Sequence, residues 1–257
     1  MVVGFIGSGN MAAAMARGWA SAEDDSPSEM LFTDSGSGRA TALAKEVGGR
    51  AVESNEELVR ESDFVILAVK PAALELVAEK LPAPRAVLSL LGATPLEKLV
   101  GHFPDSAVIR LMPNLGVEVN RGVVCMAEPE GVDEEILADT RKLLGSIARV
   151  HELPDESMDV ATAVMGCSPA YFAVVAEALG SEGAHGGLEP DVAIKLVSES
   201  LAGTAALLGS RTPFEIQTAV ASPGGSTEAG LEALAAAGGA DAFRAAFEAS
   251  IARMRGN

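Results

Sequence analysis

The chain reads as an α/β protein, an N-terminal Rossmann-type doubly wound parallel sheet followed by an all-helical C-terminal half. Three observations predict this. Short runs apolar on both faces alternate with helical spacings over residues 1–152, the pattern of a parallel sheet covered on both sides. The first run feeds directly into a glycine-rich turn, Gly7-Ser8-Gly9-Asn10-Met11-Ala12, that opens a helix. Beyond Glu152 no strand-like run survives, and helices punctuated by Gly and Pro take over. Two domains follow, 1–152 and 153–257.

In order along the chain, 2–6 is a buried strand and 11–22 a helix. Residues 30–33 are a second short run, with helical spacing over 38–47. Continuous apolar runs at 64–69, 86–90, 108–111 and 123–126 complete the sheet, and 133–147 is a charged amphipathic helix. The second half predicts helices over 156–165, 169–184, 191–208, 213–221, 227–237 and 241–254. Pro169, Pro190 and Pro213 each stand near a helix start, where a missing N–H costs little. Gly186-Gly187 is a stop signal. Segments such as 170–179 and 193–208 are apolar on more than one face, more than a lone helical domain of this size can bury. An intertwined homodimer through this half is expected.

Composition narrows the partners. The formal charge of −17 repels a nucleic-acid backbone and an anionic membrane, so neither is expected. No basic region precedes the first apolar stretch, which Gly7, Ser8, Gly9 and Asn10 interrupt, so it is a strand and turn and not a signal peptide. No uninterrupted apolar run reaches the roughly 18 residues of a membrane span. Cys125 and Cys167 lie in apolar segments without metal-ligand spacing. Two free buried thiols in a reducing cytoplasm are expected, with no metal site.

The spacing Gly7-x-Gly9-x-x-Ala12 carries a physical meaning. Gly7 permits the tight turn, Gly9 admits a pyrophosphate to the backbone, and Ala12 keeps the helix near the sheet. The helix N-terminus then faces the diphosphate of NAD or NADP. A tight turn without a ligand is the plain alternative. Asp34 ends the second strand about 25 residues beyond Gly9, where an acid binds the ribose 2′-hydroxyl and repels a 2′-phosphate. Ser35, Ser37 and Arg39 follow and are suited to hold that phosphate. The choice between the two cofactors stays open at this stage.

A second glycine turn, Ser222-Pro223-Gly224-Gly225-Ser226-Thr227, precedes a helix near Glu228. Paired glycines let successive backbone N–H groups converge into an anion-binding concavity at a helix N-terminus, which suits a carboxylate. Ser226 or Thr227 capping the helix accounts for only one hydroxyl.

With these motifs in hand, the chain resembles the pyrroline-5-carboxylate reductase family. The segments that carry the resemblance are Gly4-Phe5-Ile6-Gly7-Ser8-Gly9-Asn10-Met11, Ala68-Val69-Lys70-Pro71 and Arg110-Leu111-Met112-Pro113-Asn114. They continue in Ser168-Pro169-Ala170-Tyr171 and in the second glycine turn, in the family's order and over almost the whole chain. The resemblance implies an NAD(P)H-binding first domain and a helical substrate and dimerisation domain, often assembled into decamers. By match, Gly7, Gly9, Asn10 and Met11 line the pyrophosphate turn, and Asn55 lies by the adenosine ribose. Ala68, Val69, Lys70 and Pro71 border the nicotinamide side, with Met112, Pro113 and Asn114 nearby. Ser222, Gly224, Gly225 and Ser226 receive the carboxylate of a cyclic imino acid, and Thr227 hydrogen-bonds the imine nitrogen. The implied activity is NAD(P)H-dependent reduction of 1-pyrroline-5-carboxylate to L-proline in the cytoplasm.

The chemistry agrees with what the sequence lacks. An imine nitrogen is basic enough to take its proton from water, so a strong protein acid is less necessary than in ketone reduction. His102, His151 and His185 lie outside every matched motif and are expected at the surface. Dehydrogenases of β-hydroxyacids place a catalytic Lys on a C-terminal helix with Asn one turn on; Lys195 is the nearest candidate here, followed by Glu199. Four segments depart from the family: Leu115-Gly116, Met165 with Cys167, Leu90-Leu91-Gly92-Ala93, and Ile216-Gln217-Thr218. Two alternatives follow from them: a reductase of a bulkier imine, favoured by Leu91, Leu115 and Met165, and a cofactor-binding protein without turnover.

Overall fold

The computed structural model describes residues 1–129 and 131–256. Its described residues fall into two compact units, Met1–Pro169 with Ile251–Asn257, and Ala170–Ser250.

The first unit alternates strand and helix in the order β1 (Val2–Ile6), α1 (Asn10–Ser21), β2 (Glu29–Thr33), α2 (Arg39–Val47), β3 (Arg50–Ala51), α3 (Asn55–Glu61), β4 (Phe64–Leu67), α4 (Leu74–Ala78), β5 (Ala86–Ser89), α5 (Leu96–His102) and β6 (Ala107–Pro113). β7 (Gly122–Ala127), α6 (Glu134–Gly145), β8 (Ala148–Leu153) and the short α7 (Met158–Ala161) follow. The eight strands form one sheet in the order β3-β2-β1-β4-β5-β6-β7-β8. β1 to β6 are mutually parallel, as the continuous apolar runs predict. β7 turns back antiparallel to β6, and β8 runs parallel to β7.

The doubly wound sheet is as expected, but two strands escaped the sequence. β3 is two exposed residues and carries no apolar run. β8 is an edge strand that alternates exposed and half-buried residues and includes Arg149, His151 and Glu152, so it lacks a run apolar on both faces. The reversal of β7 leaves the period of its side chains unchanged, and so is invisible to it.

One face of the sheet is covered by α1, α2 and α6. There Phe5 stacks on Phe32 with ring centroids 5.0 Å apart and tilts against Trp19 at 5.8 Å. The Trp19 indole N–H donates to the Leu143 carbonyl at 2.9 Å, which satisfies the one polar atom this ring buries. The opposite face packs Leu58, Val59, Leu74 and Leu99 against Ile6, Val65 and Leu67. Fully burying side chains of this size contributes about 1.5–3 kcal/mol each, so both layers hold the sheet.

The second unit holds the main part of α8 (Ser168–His185), then α9 (Pro190–Leu207), α10 (Pro213–Val220), α11 (Ser226–Ala236) and most of α12 (Gly239–Met254). Thr212 caps α10 with a complete capping box, its hydroxyl accepting from the Glu215 amide. Tyr171 and Ser250 share a hydroxyl–hydroxyl bond of 2.8 Å. Across α8 to α12 only Gly180 and Ala193 are buried. Phe172, Val174, Leu196, Phe214, Leu234 and Phe243 are each at least half exposed.

Candidate active site

The last parallel residues of five strands stand in one register row, Thr33, Ile6, Leu67, Ser89 and Arg110. Ligands of open α/β sheets bind beyond this carboxyl edge, and the chain's first candidate residues follow directly from it.

Gly7 leaves β1 with φ of +98°, a backbone region that disfavours other residues. A Cβ there would stand 2.7 Å from the Ala68 carbonyl oxygen. The turn therefore needs glycine both for its angle and for its closeness to the end of β4. Gly9 is different. It has an ordinary extended backbone, φ −80° and ψ −176°, and a Cβ there meets nothing within 4 Å. The protein itself gives no steric reason for glycine at this position. As the N-cap of α1, Gly9 supplies no side-chain cap, so the first-turn amides are left for an outside acceptor.

A cleft of about 460 Å³ lies in front of this turn. Of the predicted residues, Gly7, Gly9, Asp34, Ser35, Asn55, Val69 and Lys70 line it. Ser37 and Arg39 do so as well. Asn10 lies instead in a smaller hollow of about 210 Å³ beside Arg17 and Arg39. The side chains of Met11 and Ala68 pack against the main core, and neither residue is among those lining the cleft. Pro71 opens a single 3₁₀ turn, Pro71–Ala73. Pro113 is buried, and Met112 packs with Cys125, Met158 and Met165.

Two polar residues that sequence reasoning did not single out organise this cleft. The Ser8 hydroxyl donates to the Thr33 carbonyl at 3.0 Å, which pins the turn to the end of β2. The Thr33 hydroxyl donates to Asn55 Oδ1 at 2.6 Å. That bond orients the Asn55 amide, leaving its Nδ2 donors for a ligand. Both are small hydroxyl residues at strand ends, a pattern too common to stand out in one sequence.

Asp34 lines the cleft with its carboxylate engaged by its own loop. Its Oδ1 accepts from the Gly36 and Ser37 amides at 2.7 and 3.0 Å. Its Oδ2 accepts from the Ala40 amide at 2.8 Å and the Ser37 hydroxyl at 2.9 Å. Four donors fill the roughly four acceptor sites of a carboxylate. These bonds, led by the Ala40 amide and then the Ser37 hydroxyl, hold the Asp34 carboxyl below its ordinary value. Asp34 shapes the loop, and the exposed Ser35, Ser37 and Arg39 stand around it.

In the second unit, Gly224 takes φ of +71° and Gly225 is the N-cap of α11, without a side-chain cap. Neither Ser226 nor Thr227 serves as that cap. The Gly224 amide donates to Glu228 Oε2 at 2.7 Å. A carboxylate, the chain's own, thus already sits on one amide of the turn. The remaining candidates lie apart from both glycine turns in the sequence. Lys195 pairs with Glu199 at 3.9 Å on an exposed stretch of α9. His151 and His185 are exposed and His102 is partly so. Both cysteines are free, Cys125 buried and Cys167 half-buried, and burial pushes the Cys125 thiol up.

A family model described as NADP oxidoreductase, coenzyme F420-dependent, matches residues 2–91. A second, described as pyrroline-5-carboxylate reductase dimerisation, matches residues 155–256. The pyrroline-5-carboxylate reductase of Synechocystis sp. is 33% identical over 258 residues, 98% of this chain and 97% of the relative. The chain belongs to the pyrroline-5-carboxylate reductase family. Among solved structures, 1-pyrroline-5-carboxylate reductase from Streptococcus pyogenes aligns with a TM-score of 0.90 at 27% identity, over 100% of this chain and 99% of that one. The Plasmodium falciparum pyrroline carboxylate reductase with NADP bound aligns with a TM-score of 0.86 at 25% identity, over 100% and 97%.

The sequence departures differ in their surroundings. Leu91 is 1% exposed in the core beneath the sheet, and Met165 packs against Cys125 and Met158. Met165 is only partly buried, and Leu115 is 53% exposed.

Proposed function

We propose that this chain reduces 1-pyrroline-5-carboxylate to L-proline with NADPH, as a cytoplasmic homodimer. The observation that carries the substrate reading is the turn Ser222-Pro223-Gly224-Gly225-Ser226-Thr227. It holds a carboxylate on a backbone amide and leaves the Ser226 and Thr227 hydroxyls out of the helix cap. Membership of the family, whose named members share this whole chain length, supports the same assignment.

The cradle fits the cofactor. Empty space over Gly9, uncapped first-turn amides of α1, and Lys70 and Arg39 at the cleft form a donor set for phosphates. When bound, the reduced nicotinamide supplies the hydride for the imine carbon. Gly7, Gly9, Asn10 and Met11 hold the pyrophosphate on their backbone, and Asn55 takes the adenosine ribose. Ala68, Val69, Lys70, Pro71, Met112, Pro113 and Asn114 border the nicotinamide half. Ser222, Gly224, Gly225 and Ser226 receive the substrate carboxylate, which displaces Glu228 from the Gly224 amide. Thr227 holds the imine nitrogen, so that only one ring face is open to attack. The nitrogen takes its proton from water.

NADPH is favoured over NADH because Asp34 spends its acceptors on its own loop, and Ser35 and Arg39 stand beside it as donors for a 2′-phosphate. The NADP-bound Plasmodium relative supports this choice. Initial rates with 1-pyrroline-5-carboxylate and each nicotinamide test both assignments together. A higher kcat/KM with NADPH is expected, and faster turnover with NADH refutes the cofactor assignment.

The second unit needs a partner because its helices bury almost nothing. The helical run Asp155–His185 is by length and composition apolar enough to cross a membrane. A second copy is the better cover: the run lies within the segment matched by the dimerisation family, and α9 to α12 expose apolar residues as well. Assembly of dimers into a decamer follows from the family resemblance. A division into a cofactor domain 1–152 and a helical domain 153–257 is supported by the dimerisation match over residues 155–256, whereas the compact units divide at Pro169 and count Ile251–Asn257 with the first.

A further inference from the structure

Arg110 is the only charged residue among the described buried ones, at 3% exposed, and it closes the register row at the ligand edge of the sheet. Its Nη1 donates to Asp155 Oδ1 at 2.7 Å and its Nη2 to Asp159 Oδ1 at 3.4 Å. Its Nε is buried and has no partner among the described residues. Asp155 Oδ2 accepts the Leu96 amide at 3.0 Å. One guanidinium and one carboxylate therefore tie three segments together: the first residue of α5, where the turn from β5 ends, the middle of β6, and the helical run that begins at Asp155. Asn114 repeats the tie four residues on. Its Oδ1 accepts from the Val123 amide at 3.0 Å, and its Nδ2 donates to the Met165 carbonyl at 3.2 Å. That carbonyl lies in the π-helical turn Thr162–Gly166, a wide turn of a kind that recurs at functional sites.

A buried ion pair is a poor source of stability, since a well-packed apolar replacement is often neutral or better. What a guanidinium fork adds is direction, because its planar donors suit one arrangement of two carboxylates. We propose that Arg110, with Asp155 and Asp159, is a positioning residue for hydride transfer. It holds the β5–α5 turn and the Met112-Pro113-Asn114 end of β6 at the spacing required by the nicotinamide half of the cofactor. This rests on the cofactor assignment above. Geometry is the lever: a displacement of about 1 Å at the reacting atoms costs about 100-fold in rate.

The test compares Arg110→Met, Arg110→Lys and Asp159→Asn with the wild-type protein. Circular dichroism and thermal melts check the fold, titration gives the NADPH Kd, and steady-state kinetics give kcat and KM. The emission of bound NADPH reports the surroundings of the reduced ring without any substrate. Arg110→Met is expected to keep the NADPH Kd within about threefold, roughly 0.6 kcal/mol. Its kcat should fall tenfold or more, about 1.4 kcal/mol, and the emission of its bound NADPH should change. Folded Arg110→Met with wild-type kcat and unaltered emission overturns the proposal. If Arg110→Met does not fold, Arg110→Lys decides, since one ammonium keeps the charge but cannot serve both carboxylates as a fork. Wild-type kcat and emission in that variant overturn the proposal equally. A wild-type protein that binds NADPH but leaves 1-pyrroline-5-carboxylate unreduced defeats the substrate assignment alone, and the emission comparison still decides the role of Arg110.

Discussion

The two glycines of the first turn should respond to the same substitution in opposite ways. At Gly7 the added methyl must adopt φ of +98° and stand 2.7 Å from the Ala68 carbonyl oxygen, which belongs to the backbone and cannot swing aside. The left-handed region costs about 1–2 kcal/mol and overpacking about 1–3 kcal/mol more. Gly7→Ala should therefore lower the melting temperature by about 10 °C. At Gly9 the methyl meets nothing within 4 Å, and its φ of −80° suits alanine. Restricting the unfolded chain gains about 0.4–1 kcal/mol. Alanine is a poorer N-cap than glycine by a similar amount. The two cancel to within about 1 kcal/mol, so Gly9→Ala should leave stability nearly unchanged. It should nonetheless weaken NADPH, because the methyl occupies the space where a pyrophosphate meets the first-turn amides. Losing one charge-assisted hydrogen bond costs about 1.5–3 kcal/mol, or roughly tenfold to a hundredfold in Kd. Thermal melts without ligand and a fluorescence titration with NADPH read the two effects separately. A Gly9→Ala protein with wild-type NADPH affinity would show that the space over Gly9 is not the pyrophosphate site.

Four further outcomes are expected. Thr227→Ala should lower kcat for the cyclic imino acid about tenfold, roughly 1.4 kcal/mol, while NADPH titration stays unchanged; wild-type kinetics would remove Thr227 from the site. Glu228→Gln should lower the KM for the same substrate several-fold, because a neutral amide holds the Gly224 N–H about 1 kcal/mol less firmly than a carboxylate; an unchanged KM would mean that the two do not compete. Arg39→Ala should reduce the NADPH-over-NADH preference in kcat/KM, measured above about pH 7 where the 2′-phosphate is fully ionised; an unchanged preference would remove Arg39 from the phosphate site. Asp34 has its carboxyl held below the ordinary value, so its loop bonds are complete above about pH 4 and are lost only as pH falls through the lower folded-state value. Loop order in the ligand-free protein that titrates near neutrality would show that another group orders this loop. Ala93 adopts φ of +52° beside Gly92, so Ala93→Gly should raise stability by about 0.5–1 kcal/mol, read as a shift in melting temperature; a lowered melting temperature would refute the strain.

How much of this was legible in the sequence differs from place to place. The strands of the first unit announced themselves because parallel strands are apolar on both faces, whereas the edge strand β8 and the two-residue β3 carry no such run. Gly7 and Gly9 were legible from spacing, but their different surroundings were not: a Cβ at Gly7 meets the end of a neighbouring strand, and one at Gly9 meets open space. Asp34 shows the limit of position as a guide, because where its carboxylate points is decided by the amides of Gly36, Ser37 and Ala40. The departure at Leu91 reads as a site change in sequence but lies in the core, while Met165 is partly buried against Cys125 and Met158, a difference that only the folded chain reveals. Arg110 belonged to a matched motif, yet its aspartate partners lie 45 and 49 residues away, beyond any local pattern.

The central claim is hydride transfer from NADPH to the imine carbon of 1-pyrroline-5-carboxylate, and the most direct measurement is isotopic. The purified protein is incubated with the substrate and NADPH deuterated at the transferable position of the nicotinamide, and the product is analysed by mass spectrometry and NMR. L-proline carrying one deuterium on the ring carbon of the former imine is the expected result. NADPH that binds but is not consumed, or proline that forms without the label, would contradict it.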